Sequence, residues 1–222
     1  MAKPSHAPRI YVLAGTNGAG KSSILGAMFV ERGVEYFDPD RAARRILAAN
    51  PGLSQAQANS AAWNEGRRLL ELAIAEKLDF AFETTLGGKT ITNLLQRALS
   101  EKVEVRISYV GLSSAELHIA RVRSRVERGG HDIAEERIRE RYTQSRLNLI
   151  QLLPRLTELL LYDNSVEADP KIGKIPEPRL ILHLLRGKVS ESCDLTRVPE
   201  WAKPILAVAI SLRDGSGTDW AL

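Results

Sequence analysis

Eight consecutive residues, Gly15-Thr16-Asn17-Gly18-Ala19-Gly20-Lys21-Ser22, have the types and spacing of a phosphate-binding loop, G-x-x-x-x-G-K-[ST]. Glycine lets the backbone curl so that successive N–H groups point inward at phosphate oxygens, and a helix that starts behind the loop adds the positive end of its dipole. Lys21 would reach the β- and γ-phosphates. Ser22 supplies a hydroxyl for Mg²⁺, a hard cation that prefers oxygen ligands and shares them with phosphates, and Ser23 extends the cradle into the first helical turn. The same glycines could suggest a dinucleotide fingerprint, but that chemistry leaves the Lys-Ser pair without a purpose.

Other polar residues stand where an open parallel sheet puts its ligands, beyond the carboxyl ends of strands. Asp40, in Asp38-Pro39-Asp40-Arg41, is the candidate general base: it could accept the proton of an alcohol and aim the oxygen at a γ-phosphate. It could equally be the N-cap of the helix that follows, with Asp38 either a fallback base or a turn residue. Glu83, with Thr84 and Thr85 beside it, ends an apolar strand where a Mg²⁺-linked or substrate-orienting acid would stand, or where an acid could cap a helix or pair with an arginine.

The densest signal is Arg121-Val122-Arg123-Ser124-Arg125-Val126-Glu127-Arg128-Gly129-Gly130-His131-Asp132, followed by Arg137, Arg139, Arg141 and Arg146. Arg121, Arg125 and Arg128 share one helical face. Hinged by two glycines to a second helix carrying Arg137 and Arg141, they could form a lid whose arginines stabilise charge on transferring phosphate and exclude water. The interspersed glutamates also allow a solvated helix pair with weak surface ion pairs. His131 could orient the lid or touch substrate, or serve only as a turn residue.

The elements that must position these groups follow from the hydrophobic pattern. Apolar runs near 9–14, 34–37, 79–83, 103–111 and 158–163 read as strands, and helical periodicity covers 21–31, 41–49, 55–77, 89–101, 115–128 and 134–153. Alternation of this kind predicts a three-layer α/β fold of the P-loop NTPase type, with a mainly parallel five-stranded sheet, helices on both faces and a helical arginine lid near 121–146. Residues 1–165 are expected to form the kinase-like domain, and 166–222 a C-terminal extension packing on it. That tail shows an apolar run, Leu180 to Leu185, and a helical pattern around Trp201 to Leu212.

Composition narrows the setting. The 222 residues, 44% of them apolar, suffice for one substantial domain. The net charge of +4 favours anionic ligands. One cysteine cannot form an internal disulfide, which fits a reducing cytoplasm, and no leader or membrane-spanning run is evident. The scarcity of aromatics among the arginines removes the stacking platform that single-stranded nucleic acid would need.

Taken together, the chain resembles the zeta-toxin family of P-loop kinases. The resemblance rests on the phosphate loop, Asp40, Glu65-Gly66-Arg67, Phe82-Glu83-Thr84-Thr85-Leu86, the Arg-Gly-Gly-His-Asp core ending at Asp132, Arg141-Tyr142 and Tyr162-Asp163-Asn164-Ser165, across residues 9 to 165. It implies ATP and Mg²⁺ as the phosphoryl donor, a catalytic Asp at Asp40 acting with Lys21, lid arginines at Arg121 and Arg125, and an acceptor site of Asp40, Arg67, Glu83, Thr84, Thr85 and His131. Asn164 would contact the nucleotide. The implied acceptor is a small molecule, with a nucleotide sugar such as UDP-N-acetylglucosamine foremost, and the implied protein partner is a small antitoxin. The family's Arg and His-Pro after its catalytic Asp are replaced here by Arg41-Ala42-Ala43-Arg44-Arg45, which sets the acceptor pocket apart. The competing readings are an ATPase or nucleotide-dependent switch, and a nucleic-acid-binding module using the basic helices.

Overall fold

A computed structural model of the 222-residue chain describes residues 6–23, 26, 35–166 and 177–213. Six strands form one sheet in the order β2-β1-β3-β4-β5-β6. They are β1 (Arg9–Ala14), β2 (Phe80–Thr84), β3 (Glu104–Gly111), β4 (Glu158–Asp163), β5 (Arg179–Leu185) and β6 (Lys188–Ser192). The first four are mutually parallel, and β5 and β6 continue the sheet antiparallel. The helices are α1 (Pro39–Ala49), α2 (Gln55–Glu76), α3 (Lys89–Ser100), α4 (Ala115–Glu127), α5 (Glu135–Leu152) and α6 (Lys203–Arg213).

Alternation within the strands divides the core. Ile10, Val12 and Ala14 of β1 face the main cluster, where Leu70 and Ile74 of α2, Leu95 of α3, Leu149 of α5 and Ile205 of α6 meet Val105, Ile107, Leu159 and Leu161. Leu13 faces the other way, packing with Val110 and Ala19. Residues 21–23 behind the loop are helical, and the rest of the helix expected over 21–31 lies outside the described residues apart from Gly26.

The sheet differs from the expected five strands in two places. Among the described residues of the 34–37 run (residue 34 lies outside them), Phe37 alone pairs, through a parallel bridge to Phe82, because the chain turns at once into α1: Asp38 caps that helix and Pro39 has no N–H to extend a ladder. At the far edge, Arg186 and Gly187 both have positive φ, 48° and 75°, the geometry of a tight hairpin turn, so the run at 180–185 becomes β5 and returns as β6. The second strand escapes a hydrophobic-pattern search because Lys188, Ser190, Glu191 and Ser192 are exposed.

Two small helical units stand on this core. Ala43 of α1 packs on Ala58 and Ala62 of α2, and Ile119 and Val122 of α4 pack on Ile138 of α5. The first begins with good local chemistry: Asp38 caps α1, and Ser54 with Gln57 makes a capping box on α2. On the second, Ser114 caps α4 through a bond from Leu117 N–H. Between the two units lies a cleft of about 980 Å³ whose floor is the carboxyl end of β2 and the phosphate loop.

Candidate active site

The loop after β1 has the conformation its glycines permit. Gly15, Gly18 and Gly20 take φ of 139°, 82° and 93°. A Cβ on Gly15 would lie 2.2 Å from the Val110 carbonyl oxygen, and one on Gly18 would lie 2.8 Å from that of His118, so neither position accepts a side chain. The loop is braced from three sides. Asn164 Nδ2 donates to the Ala19 carbonyl at 2.8 Å, His118 Nδ1 bonds the Asn17 carbonyl at 2.8 Å, and Arg141 Nη1 donates to Asn17 Oδ1 at 2.8 Å. Thr16 is buried and its hydroxyl reaches the Arg141 carbonyl at 3.4 Å.

Lys21 and Ser22 meet Glu83 at the mouth of this loop. The Lys21 ammonium lies 3.5 Å from Glu83 Oε1, and Ser22 Oγ donates to Glu83 Oε2 at 2.7 Å. Parallel pairing of β1 with β2 puts Leu13 level with Glu83, which is why an acid 61 residues downstream arrives beside the loop. A hydroxyl and a carboxylate at this separation, next to a lysine and a cradle of backbone N–H groups, are the hard oxygen donors that Mg²⁺ and a polyphosphate require. The donor set therefore fits ATP with Mg²⁺.

The helix-cap explanation of Asp40 does not hold, because the cap is its neighbour. Asp38 Oδ1 accepts from the N–H groups of Asp40 and Arg41 at 2.9 and 3.1 Å. Asp40, in the first turn of α1, is left with its carboxylate on the cleft wall together with Lys21, Glu83, Thr84, Thr85, Arg67 and His131. The structure thus gathers the residues expected around the acceptor into one cavity. The hydroxyls of Thr84 and Thr85 also shape the turn there, accepting from Leu86 and Gly87 N–H at 3.1 and 3.4 Å. Leu86 itself is left-handed, with φ of 54°, and its carbonyl is held by Asn148 at 2.8 Å.

Arginine placement departs from expectation. Arg121 lies against the back of the loop and donates to the Asn164 carbonyl at 2.8 Å, and Arg125 donates to the His131 carbonyl at 3.1 Å; neither lines the cleft. Arg137 and Arg141 of α5 do line it. Burial, and then the charge of Arg137, lowers the pKa of Arg141, while Glu140 and Asp40 oppose the shift. A Cβ on Gly87 would fall 2.8 Å from Arg141 Cγ, so the glycine lets this arginine lie close to the floor. Of the arginines expected in the lid, those on the helix after the Gly129-Gly130 turn, Arg137 and Arg141, face the cleft, whereas Arg121 and Arg125 on the helix before it do not.

Two residues carry no site signal in the sequence. His118 is almost fully enclosed, and burial, together with Lys21, Arg121 and Arg146, pushes its pKa down to about 4, so it stands neutral with its ring against Tyr142 at 5.5 Å. Trp63 lies on the cleft face of α2 with 44% of its surface exposed.

The arrangement has relatives. A curated uncharacterized protein from Haemophilus influenzae is 34% identical over 129 residues, 58% of this chain and 88% of that protein. Among solved structures, the AvrRxo1-ORF1:AvrRxo1-ORF2 complex with sulphate ions superposes with a TM-score of 0.63 at 16% identity, covering 92% of this chain; this chain spans 64% of the one it matches. The PezAT chromosomal toxin-antitoxin system of Streptococcus pneumoniae gives a TM-score of 0.58 at 16% identity, covering 96% of this chain and 88% of its counterpart. At these identities the solved structures establish the fold, that of P-loop kinase-like proteins. The zeta toxin profile matches residues 1–164, and the chain belongs to the zeta toxin family.

Proposed function

We propose that the protein is an ATP- and Mg²⁺-dependent kinase that transfers the γ-phosphoryl group to a hydroxyl of a small molecule, with a nucleotide sugar such as UDP-N-acetylglucosamine as the foremost acceptor. The observation that carries this reading is the cleft itself. It sets the uncapped carboxylate of Asp40 on the same cavity as Lys21, Glu83 and Arg141. A related complex has been solved with ATP, which supports the donor, and relatives solved as toxin-antitoxin or two-protein complexes support a small antitoxin as partner.

In this reading the loop N–H groups and Lys21 hold the β- and γ-phosphates, while Ser22 and Glu83 hold the metal. The bound metal supplies charge neutralisation across the phosphate oxygens. Asp40 accepts the acceptor's hydroxyl proton and orients the oxygen for attack. Arg141 and Arg137 stabilise the charge that develops on the transferred group. Thr84, Thr85, Arg67 and His131 position the acceptor, and closure of the helical walls keeps water from competing.

The experiment is transfer from γ-labelled ATP with Mg²⁺ to UDP-N-acetylglucosamine and a panel of sugar nucleotides and alcohols. Asp40→Asn is expected to lower kcat by about 10²–10⁴-fold with ATP affinity retained. Lys21→Ala is expected to lose both. Acceptor-independent hydrolysis at full rate in Asp40→Asn would replace this reading with that of an ATPase.

A further inference from the structure

We infer that Trp63 and Arg67 form a ring-and-anion platform that selects the acceptor, with Trp63 stacking against the face of a nucleobase or sugar ring and Arg67 binding the anionic group attached to it. The inference rests on the kinase reading and names the acceptor's chemistry.

The face of α2 explains why such a platform can exist. Residues Ala58 and Ala62 bury one side of the helix against α1, so positions 59, 60, 63 and 67 rotate toward the cleft. An indole left 44% exposed inside a concave site offers a flat apolar surface to a ligand. Arg67 Cζ sits 5.6 Å from the centre of that ring. Its buried Nε forms a long ion pair with Glu71 at 3.9 Å, beyond hydrogen-bond reach, and has no hydrogen-bond partner. A cation held beside an aromatic ring with donor capacity unspent suits an anion on a ring-bearing ligand.

Gly66 shows that the placement is built in. A Cβ there would meet Phe37 Cε1 at 2.7 Å. Glycine inside a helix costs roughly 1 kcal/mol relative to alanine. Here it allows α2 to settle on Phe37, which brings the turn carrying Trp63 and Arg67 onto the cleft wall opposite the loop 131–134. Asn59 and Ser60, one turn earlier, add hydrogen-bonding groups along the same wall.

The test separates this site from the phosphate loop by first saturating the protein with β,γ-imido-ATP and Mg²⁺. Calorimetric titrations then use uridine diphosphate, glucose 1-phosphate and inorganic pyrophosphate as probes of base plus anion, sugar plus anion, and anion alone. Trp63→Ala is expected to weaken at least one ring-bearing probe by about tenfold or more, Trp63→Phe by no more than about threefold, and pyrophosphate binding is expected to be unchanged by either. Arg67→Ala is expected to weaken all three. Whether the uridine or the glucose probe responds identifies the ring. Equal binding of every probe by wild type and Trp63→Ala, or no binding by wild type, would overturn the inference. Ring-dependent binding without phosphoryl transfer to UDP-N-acetylglucosamine or the acceptor panel would leave the platform standing and remove the kinase reading.

Discussion

At the scale of single residues, the site depends on groups whose charge is set by neighbours. His118 is the clearest case, a neutral imidazole that ties α4 to the Asn17 carbonyl of the phosphate loop. Its pKa falls from 6.5 in the free side chain to about 4 in the fold, burial being the largest cause. The folded state therefore binds fewer protons between those values. The stability it contributes is full above pH 6.5 and is lost as pH falls toward 4, a difference on the order of 3 kcal/mol. Urea titrations at pH 7 and pH 4 are expected to show wild type losing about that much more stability than His118→Gln. An identical loss in both would show that the imidazole titrates normally in the fold.

At the scale of elements, the start of α1 decides what Asp40 can do. Asp38 takes the capping bonds, and Asp40 keeps a carboxylate for the cleft. Asp38→Ala is expected to cost about 1 kcal/mol of stability through the lost cap. It is also expected to lower kcat for acceptor phosphorylation while ATP affinity holds, because the helix turn that aims Asp40 frays. Asp38→Ser, which can still cap, is expected to recover most of both. A loss of stability with unchanged turnover would mean that Asp40 does not depend on the helix start for its position.

At the scale of the whole molecule, the C-terminal third closes the sheet beneath the site. Trp201 packs so tightly beneath β3 that a Cβ on Gly111 would fall 2.4 Å from its ring, and its indole N–H donates to Asp163 at 3.1 Å. Asp163 precedes Asn164, which braces the phosphate loop. Trp201→Ala is expected to cost about 3–5 kcal/mol, since it opens a cavity under β3 and leaves a buried carboxylate short of a donor. Chemical denaturation checks the cost, and weakened ATP binding in the same variant would report the link through Asn164. Trp201→Phe is expected to keep most of the packing and lose only the hydrogen bond.

Local chemistry carries much of this protein's design, and that part was readable in one dimension. The phosphate loop and the strand-helix alternation act through neighbours a few positions away, so spacing alone reveals them. That Asp40 and Glu83 line one cavity was also legible, because parallel sheets collect their strand ends on one side, whereas Arg67 was reached through the family resemblance and His131 through the lid pattern. Three matters depended on contacts between distant segments. The pairing register brought Glu83 to Ser22, competition between Asp38 and Asp40 assigned the cap to Asp38, and the packing of α4 on the loop turned Arg121 away from the cleft. Sequence determined which residues could do the chemistry, and the tertiary structure decided which of them share a cavity, because facing depends on the packing of elements that spacing along the chain does not encode.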